Sequence, residues 1–280
     1  MFGIKWIIPL LLLLTSCNLM EEAEQEKLRA LNHQGEYIIR QASEKRVVLI
    51  TPEYRSRALY PWEGGLIGDH SRISKDFFRC KGSILNPYLV VNDKAGQKNH
   101  FHDCGGRDKH SLPLRNGKEF VYPVLIDLLN YIQGKTGKKV IITSGHRCPQ
   151  HNSYVDQSIV NQSSKHMVGA AVDFYVQGLE QRPEIVIDLI RQYYKENPFY
   201  QGKKEFEQFL TMQKSDTSPT ITPLIYNREV SIRLYKKNEG RNFDNRHNYP
   251  YLTLMVRYDR DEKKGVVYTW HDAERNILRY

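Results

Sequence analysis

Between Glu119 and Gly134 the apolar positions recur three and four apart, at Val121, Leu125, Leu128, Leu129 and Ile132. That spacing predicts an amphipathic helix, which Gly134 or Gly137 would stop. The apolar, β-branched run "KKVIITSG" predicts a strand. "AAVDFYV" alternates, with Val172, Phe174 and Val176 on one face and Ala171, Asp173 and Tyr175 on the other, which predicts a half-buried strand. "RPEIVIDLIRQYYKEN", from Arg182, reads as an amphipathic helix with Pro183 near its start, and "KKEFEQFLTMQ" as a further helix. The C-terminal part is β-rich: "REVSIRLY", then "PYLTLMVRYDRDEKKGVVYTW", a hairpin turning at Asp261 to Gly265. "HRCPQHNSYVDQSIVNQSS" reads as a polar loop and "KSDTSPTITP" as a linker. Strands and helices without regular βαβ alternation predict an α+β fold with an antiparallel sheet. The expected boundaries are a domain over residues 115–280, an irregular accessory region over 46–114, and a charged tether over 17–45. In the accessory region only "RVVLIT" and "NPYLVVND" read as strands.

The first residues change the picture of where the chain works. "MFGIKWIIPLLLLLTSC" has Lys5 and then an apolar run from Trp6 to Leu14. A bilayer core about 30 Å thick needs about 20 apolar residues, so this run is too short to span it and matches the apolar region of a secretory signal. The Leu-Thr-Ser-Cys ending resembles the bacterial lipobox. The resemblance implies that residues 1–16 are a signal peptide, that cleavage falls before Cys17, and that a lipid on its sulfur holds the protein to a membrane. The expected location is the bacterial cell envelope, facing the periplasm or the exterior. With 40% hydrophobic and 26% charged residues the chain has the composition of a globular protein. Its net charge of +9 suits an anionic wall or membrane surface, and outside the cytoplasm nucleic acid is not an expected partner.

Three further cysteines remain, Cys80, Cys104 and Cys148. In an oxidising compartment two can pair. Cys80 and Cys104 lie in the loop-rich region and are the expected disulfide. The alternative is a zinc site that uses them with His100, His102 and His110, although no CxxC spacing is present. Cys148 is then the odd thiol, expected to be buried.

The candidate chemistry sits in "SSKHMVGAAVDFYV". A carboxylate on a strand whose other face is apolar is partly buried, and needs a cation or a metal. His166 precedes Asp173 by seven positions, and the small Gly169, Ala170 and Ala171 let the chain fold back. An imidazole nitrogen and a carboxylate oxygen are two ligands that zinc favours.

Ser164-x-His166-x-x-Gly169-x-Ala171-x-Asp173 resembles the SxHxxGxAxD motif of the zinc D-Ala-D-Ala carboxypeptidase family, the M15 peptidases. "SGHRCPQHN" is similar to that family's SGYRSPxHN: Ser144, Gly145, Arg147, Pro149, His151 and Asn152 match, while His146 and Cys148 depart from it. The resemblance covers residues 115–180 well, 225–280 weakly and 18–114 not at all. It implies the fold shared with the hedgehog domain, an antiparallel sheet with packed helices. It implies His166 and Asp173 as zinc ligands and Arg147 as the group that binds a substrate carboxylate, with Ser164 bonding the loop that positions His166. A third ligand is needed, in the family a His within ExxH or HxH near the C-terminal strands, and the C-terminal part of this chain has neither pattern. Asp244-x-x-His247 mimics ExxH and makes His247 the expected ligand and Asp244 the general base. His271 in "TWH" is the alternative. In a third alignment the position holds Thr253 and no third His exists. The implied function is a lipid-anchored zinc peptidase acting on peptidoglycan stem peptides, as a D,D-carboxypeptidase or endopeptidase. The alternative is an inactive member that binds peptidoglycan or serves envelope assembly.

Overall fold

The computed structural model describes Lys27 and residues 65–92, 96–157, 163–213 and 219–280. The chain divides into two compact units, Met1–Ala58 and Leu59–Tyr280, and all described residues but Lys27 belong to the second. The expected signal peptide, Cys17, the tether apart from Lys27 and the expected "RVVLIT" strand lie outside the described residues. Among the described residues no helix is long and apolar enough to cross a membrane.

The frame is a six-stranded sheet. Its strands in chain order are β1 (Val140–Ser144), β2 (Ala171–Val176), β3 (Leu210–Met212), β4 (Leu224–Tyr226), β5 (Val230–Tyr235) and β6 (Tyr251–Val256). They lie in the order β1-β2-β6-β5-β4-β3, and every pairing is antiparallel. The expected α+β class is the class observed. Period-two alternation sorts each central strand into two faces. Val172, Phe174 and Val176 of β2 and Leu252, Leu254 and Val256 of β6 are buried in the core. Each contributes about 1.5–3 kcal/mol by leaving water. Asp173 and Thr253 occupy the opposite face, paired across the β2–β6 ladder.

Helix α1 (Pro123–Thr136) and helix α3 (Pro183–Glu196) pack on the apolar face. Leu125, Leu128, Leu129 and Ile132 of α1 are fully buried, as the helical spacing predicts. Gly137, with φ 60°, ends α1, and its N–H returns to the Gln133 carbonyl. Residues 65–114 are irregular but join the same core through Ile73, Phe78 and Leu112. Asn130 of α1 fixes this segment, because its side chain both accepts from and donates to the backbone of Ile73, each at 2.8 Å. The "NPYLVVND" stretch pairs as a hairpin, Leu89–Asn92 with Lys98–Phe101.

Three local expectations change. The loop after β1 contains a short helix, α2 (Pro149–Val155), with Pro149 at its first position and Cys148 as its cap. "KKEFEQFLTMQ" is helical only over α4 (Lys204–Glu207), and its second half is the edge strand β3. The segment after the Tyr258–Asp259/Lys264–Gly265 hairpin forms α5 (Trp270–Arg275), capped by the Thr269 side chain.

Candidate active site

The motif around His166 folds as a turn that returns the chain to the sheet. Ser164 caps a 3-10 turn over Lys165–Val168, its hydroxyl accepting the His166 N–H at 3.3 Å. Gly169 follows with φ 68°, a left-handed conformation in which a Cβ would also stand 3.0 Å from the Phe120 carbonyl oxygen. The reversal brings the imidazole over β2. His166 Nδ1–H donates to the Gly145 carbonyl at 2.7 Å, which leaves Nε2 facing Asp173 Oδ1 at 3.4 Å.

A bulge at the end of β1 completes the arrangement. The β1–β2 register shifts between Ile142 and Ser144, so Ser144 lies opposite Asp173. Bulges of this kind re-aim a side chain beside a site. The next turn delivers Arg147, only 5% exposed, beneath the carboxylate. Arg147 Nη2 donates to Asp173 Oδ2 at 2.9 Å, and Nε donates to Ser144 Oγ at 2.7 Å and to Asp244 Oδ2 at 3.2 Å. Asp173 also accepts from Asn245 Nδ2 at 2.8 Å and from the Thr253 hydroxyl at 2.6 Å.

The charges continue inward. Asp244 Oδ1 meets His151 Nε2 at 3.1 Å, and His151 Nδ1 meets Asp103 Oδ1 at 2.6 Å. The result is a buried series of alternating sign: Asp173, Arg147, Asp244, His151, Asp103. Burial alone would push each carboxyl up and the imidazole down, and the alternation reverses both effects. His166, Arg147 and Thr253 hold Asp173 at about 2. His151, Arg147 and Ser144 hold Asp244 well below the carboxylate range. Asp103 and Asp244 raise His151 to about 9. His151 and backbone and side-chain donors at Ser83 and Asn86 hold Asp103 at about 2. All five groups are therefore charged near neutrality.

The sequence-derived site residues separate into two sets. His166, Asp173, Arg147, Ser164 and Thr253 line one cleft of about 360 Å³, together with Tyr235, Arg241 and Tyr251. His247 is not beside the pair: its ring lies among Tyr175, Tyr249 and Tyr251, with centroids 5.2–5.7 Å apart. In this loop between β5 and β6 it is Asn245 that turns inward, to Asp173 and Thr143, and His247 follows two positions later among the tyrosines. His271 is exposed on α5. Asp244 does reach the site, but as an ion-pair partner of Arg147 and His151. Arg147, expected to hold a substrate carboxylate, spends Nε and Nη2 on protein carboxylates. The expected Cys80–Cys104 disulfide is not formed, since the sulfurs are 3.7 Å apart and both are thiols, against about 2.05 Å for a bond. His100 and His102 pack on Tyr88 in the hairpin, away from these thiols. Asp103 and Asn245 belong to the network and have no signature in the motif; His151, in the "PQHN" that does carry one, reads from sequence only as a loop residue.

The implied catalytic zinc can be tested against these donors. Two ligands at about 2.0–2.2 Å from a tetrahedral ion stand roughly 3.4 Å apart, and a catalytic site needs three protein ligands and an open position. His166 Nε2 and Asp173 Oδ1 have the right separation. Thr253 occupies the place across the ladder from Asp173, and its hydroxyl is already given to that carboxylate. Among the described residues the pair joins no group of three or more His, Cys, Asp or Glu ligand atoms. The residues present do not fit a catalytic zinc.

A six-stranded antiparallel sheet presenting a paired His and Asp to a cleft, with helices covering its other face, defines an α+β domain with a candidate site on one face of its sheet. Residues 106–210 match the family model described as Peptidase M15. The match supports a hydrolase, and a metallopeptidase in particular; M15 peptidases are typically metal-dependent. No curated protein and no solved structure matches the chain.

Proposed function

We propose that this chain is a lipoprotein of the bacterial cell envelope, anchored through Cys17, that holds peptidoglycan stem peptides in the cleft of its M15-type domain. The observation that carries binding over hydrolysis is Thr253, standing where a third zinc ligand would be and bonded to Asp173 at 2.6 Å. The cleft, about 360 Å³ and lined by Tyr235, Tyr251, Arg241 and Ser164, falls in the range of small-ligand sites and suits a short peptide. The lipobox-like "LTSC" and the net charge of +9 support the envelope and its anionic wall as the setting, and nucleic acid is not a partner in this reading.

A second reading is favoured by the M15 match and by the 3.4 Å His166–Asp173 pair. It is a D,D-carboxypeptidase or endopeptidase that cuts the same peptides. One experiment separates the two. The full chain is incubated with sacculi and with soluble muropeptides, with and without added zinc, and both phases are analysed by mass spectrometry. Retention on sacculi with every muropeptide mass unchanged supports binding. Release of D-Ala or splitting of cross-links replaces it with the peptidase reading. Failure to bind sacculi and to alter any muropeptide rejects both.

A further inference from the structure

A second cluster of ligating side chains lies behind the ion series. Cys80, Cys104, His110 and Cys148 place their Sγ and imidazole nitrogen atoms all within 4.8 Å of one another. Cys80, His110 and Cys148 are buried and Cys104 is half-buried. Cys80 Sγ and Cys104 Sγ are 3.7 Å apart, and His110 Nε2 is 3.4 Å from Cys104 Sγ. These separations are those of a tetrahedral zinc shell. With Zn–S about 2.3 Å and Zn–N about 2.0–2.1 Å, sulfurs stand roughly 3.7 Å apart and sulfur and nitrogen roughly 3.5 Å.

The surroundings are arranged for the same purpose. His110 Nδ1–H donates to the Ser111 carbonyl at 2.9 Å, which fixes the tautomer whose Nε2 lone pair faces the thiols. Backbone N–H groups point at the sulfurs, from Gly106 to Cys104 at 3.2 Å and from His151 to Cys148 at 3.3 Å. Such donors favour thiolate. The space exists because two glycines flank it: a Cβ on Gly82 would sit 2.3 Å from Cys104 Sγ, and one on Gly106 would sit 2.2 Å from the Gly82 carbonyl oxygen. Ile277 covers the cluster.

We infer that Cys80, Cys104, Cys148 and His110 form a structural zinc site, distinct from the His166–Asp173 cleft. Four protein ligands fill a tetrahedral shell and leave no position for water or substrate, so the role is to hold the fold. Binding converts three thiols to thiolates, with their protons released to solvent, and His110 enters neutral. Three ligands come from the irregular segment before α1, and Cys148 comes from the turn that carries Arg147. The metal therefore ties that segment to the wall of the cleft.

The test uses the full chain purified without chelator and supplied with Zn²⁺ or Co²⁺. The expected result is about one metal per chain, retained in His166→Ala and lost in Cys104→Ser and Cys148→Ser. In Cys148→Ser the hydroxyl can keep the α2 cap. Should a cysteine variant fail to fold, X-ray absorption on the wild-type zinc form decides, with three sulfurs and one nitrogen expected. Thiolate-to-cobalt charge transfer in the Co²⁺ form supports the same shell. Cys80, Cys104 and Cys148 all titrating as thiols without bound metal, a Cys80–Cys104 disulfide in metal-free protein, or metal lost in His166→Ala but kept in Cys104→Ser would each overturn the inference.

Discussion

Replacing Arg147 by Met keeps the volume of the side-chain stem and removes the cation that stands between Asp173 and Asp244. Both carboxylates are almost wholly buried, and each keeps other donors: Thr253 and Asn245 for Asp173, Ser144 and His151 for Asp244. Removing one partner of a buried pair costs about 3–5 kcal/mol, because the remaining charge is left uncompensated. For a unit of the size of Leu59–Tyr280, each kcal/mol moves the midpoint roughly 2–4 °C. Arg147→Met is therefore expected to lower Tm by roughly 6–20 °C in a circular-dichroism melt at pH 7. Adding Asp244→Asn should recover part of that loss, with a coupling of about 1–3 kcal/mol in the double-mutant cycle. A Tm within about 2 °C of wild type would refute the reasoning. It would mean that the guanidinium is solvated and free, as a binder of substrate carboxylates must be, and muropeptide affinity would then be the property that falls.

Further expectations concern the same network. His151 has its pKa raised to about 9 in the fold from 6.5, so its stabilisation is complete below about pH 6.5 and is lost as pH rises through 9. The full span is about 3 kcal/mol, and Tm should fall over that window in wild type but stay flat in His151→Gln; a flat wild-type profile would exclude a charged His151. Gly169→Ala forces a side chain into φ 68° against the Phe120 carbonyl and should cost about 1–2 kcal/mol in urea unfolding, whereas an unchanged midpoint would show that the turn is not needed. Thr253→His supplies the missing ligand beside His166 and Asp173 and should raise zinc content from about one to about two per chain. A content that stays at one would show that a His at position 253 does not complete a ligand set with the pair.

What the sequence revealed follows the range of the interactions. The helix over 123–136 and the strand over 171–176 carry their own periodicity, the strands over 140–144, 230–235 and 251–256 an apolar or β-rich composition, and the core confirms them. Helix α2 carries none: "PQHNSYV" is polar, and it is helical because His151, Asn152 and Tyr154 are buried by partners distant in sequence. Leu210–Met212 has a helix-compatible pattern, yet pairing with β4 makes it a strand. The same division holds in the cleft. The nearness of His166 and Asp173 is local, encoded by the Gly169 reversal. Arg147 was visible as part of a motif, but its partners were not, since Asp244 lies 97 positions away and Asp103 lies 48 from His151. Cys148 looked odd because nothing in its spacing announces that the fold delivers it to Cys80 and Cys104.

Metal content alone cannot separate a catalytic site from a structural one in this protein. One zinc per chain is what a His166–Asp173 centre and a Cys80–Cys104–Cys148–His110 centre would each give. The ligand chemistry decides between them. Three thiolates and an imidazole complete a tetrahedral shell and suit zinc, while a single imidazole and a carboxylate already shared with Arg147, Asn245 and Thr253 do not. A first equivalent of zinc should therefore fill the sulfur site. The two sites are nonetheless linked through the chain, because Cys148 follows Arg147 directly and caps α2, which carries His151. A metal held by Cys148 fixes both cations of the alternating series at once. Removing it with a chelator should lower Tm and also flatten the fall in Tm between pH 6.5 and 9, because that limb depends on His151 staying between Asp103 and Asp244. A chelated protein that melts lower but keeps the limb unchanged would show that the metal supports the outer loops alone and leaves the cleft wall as it was.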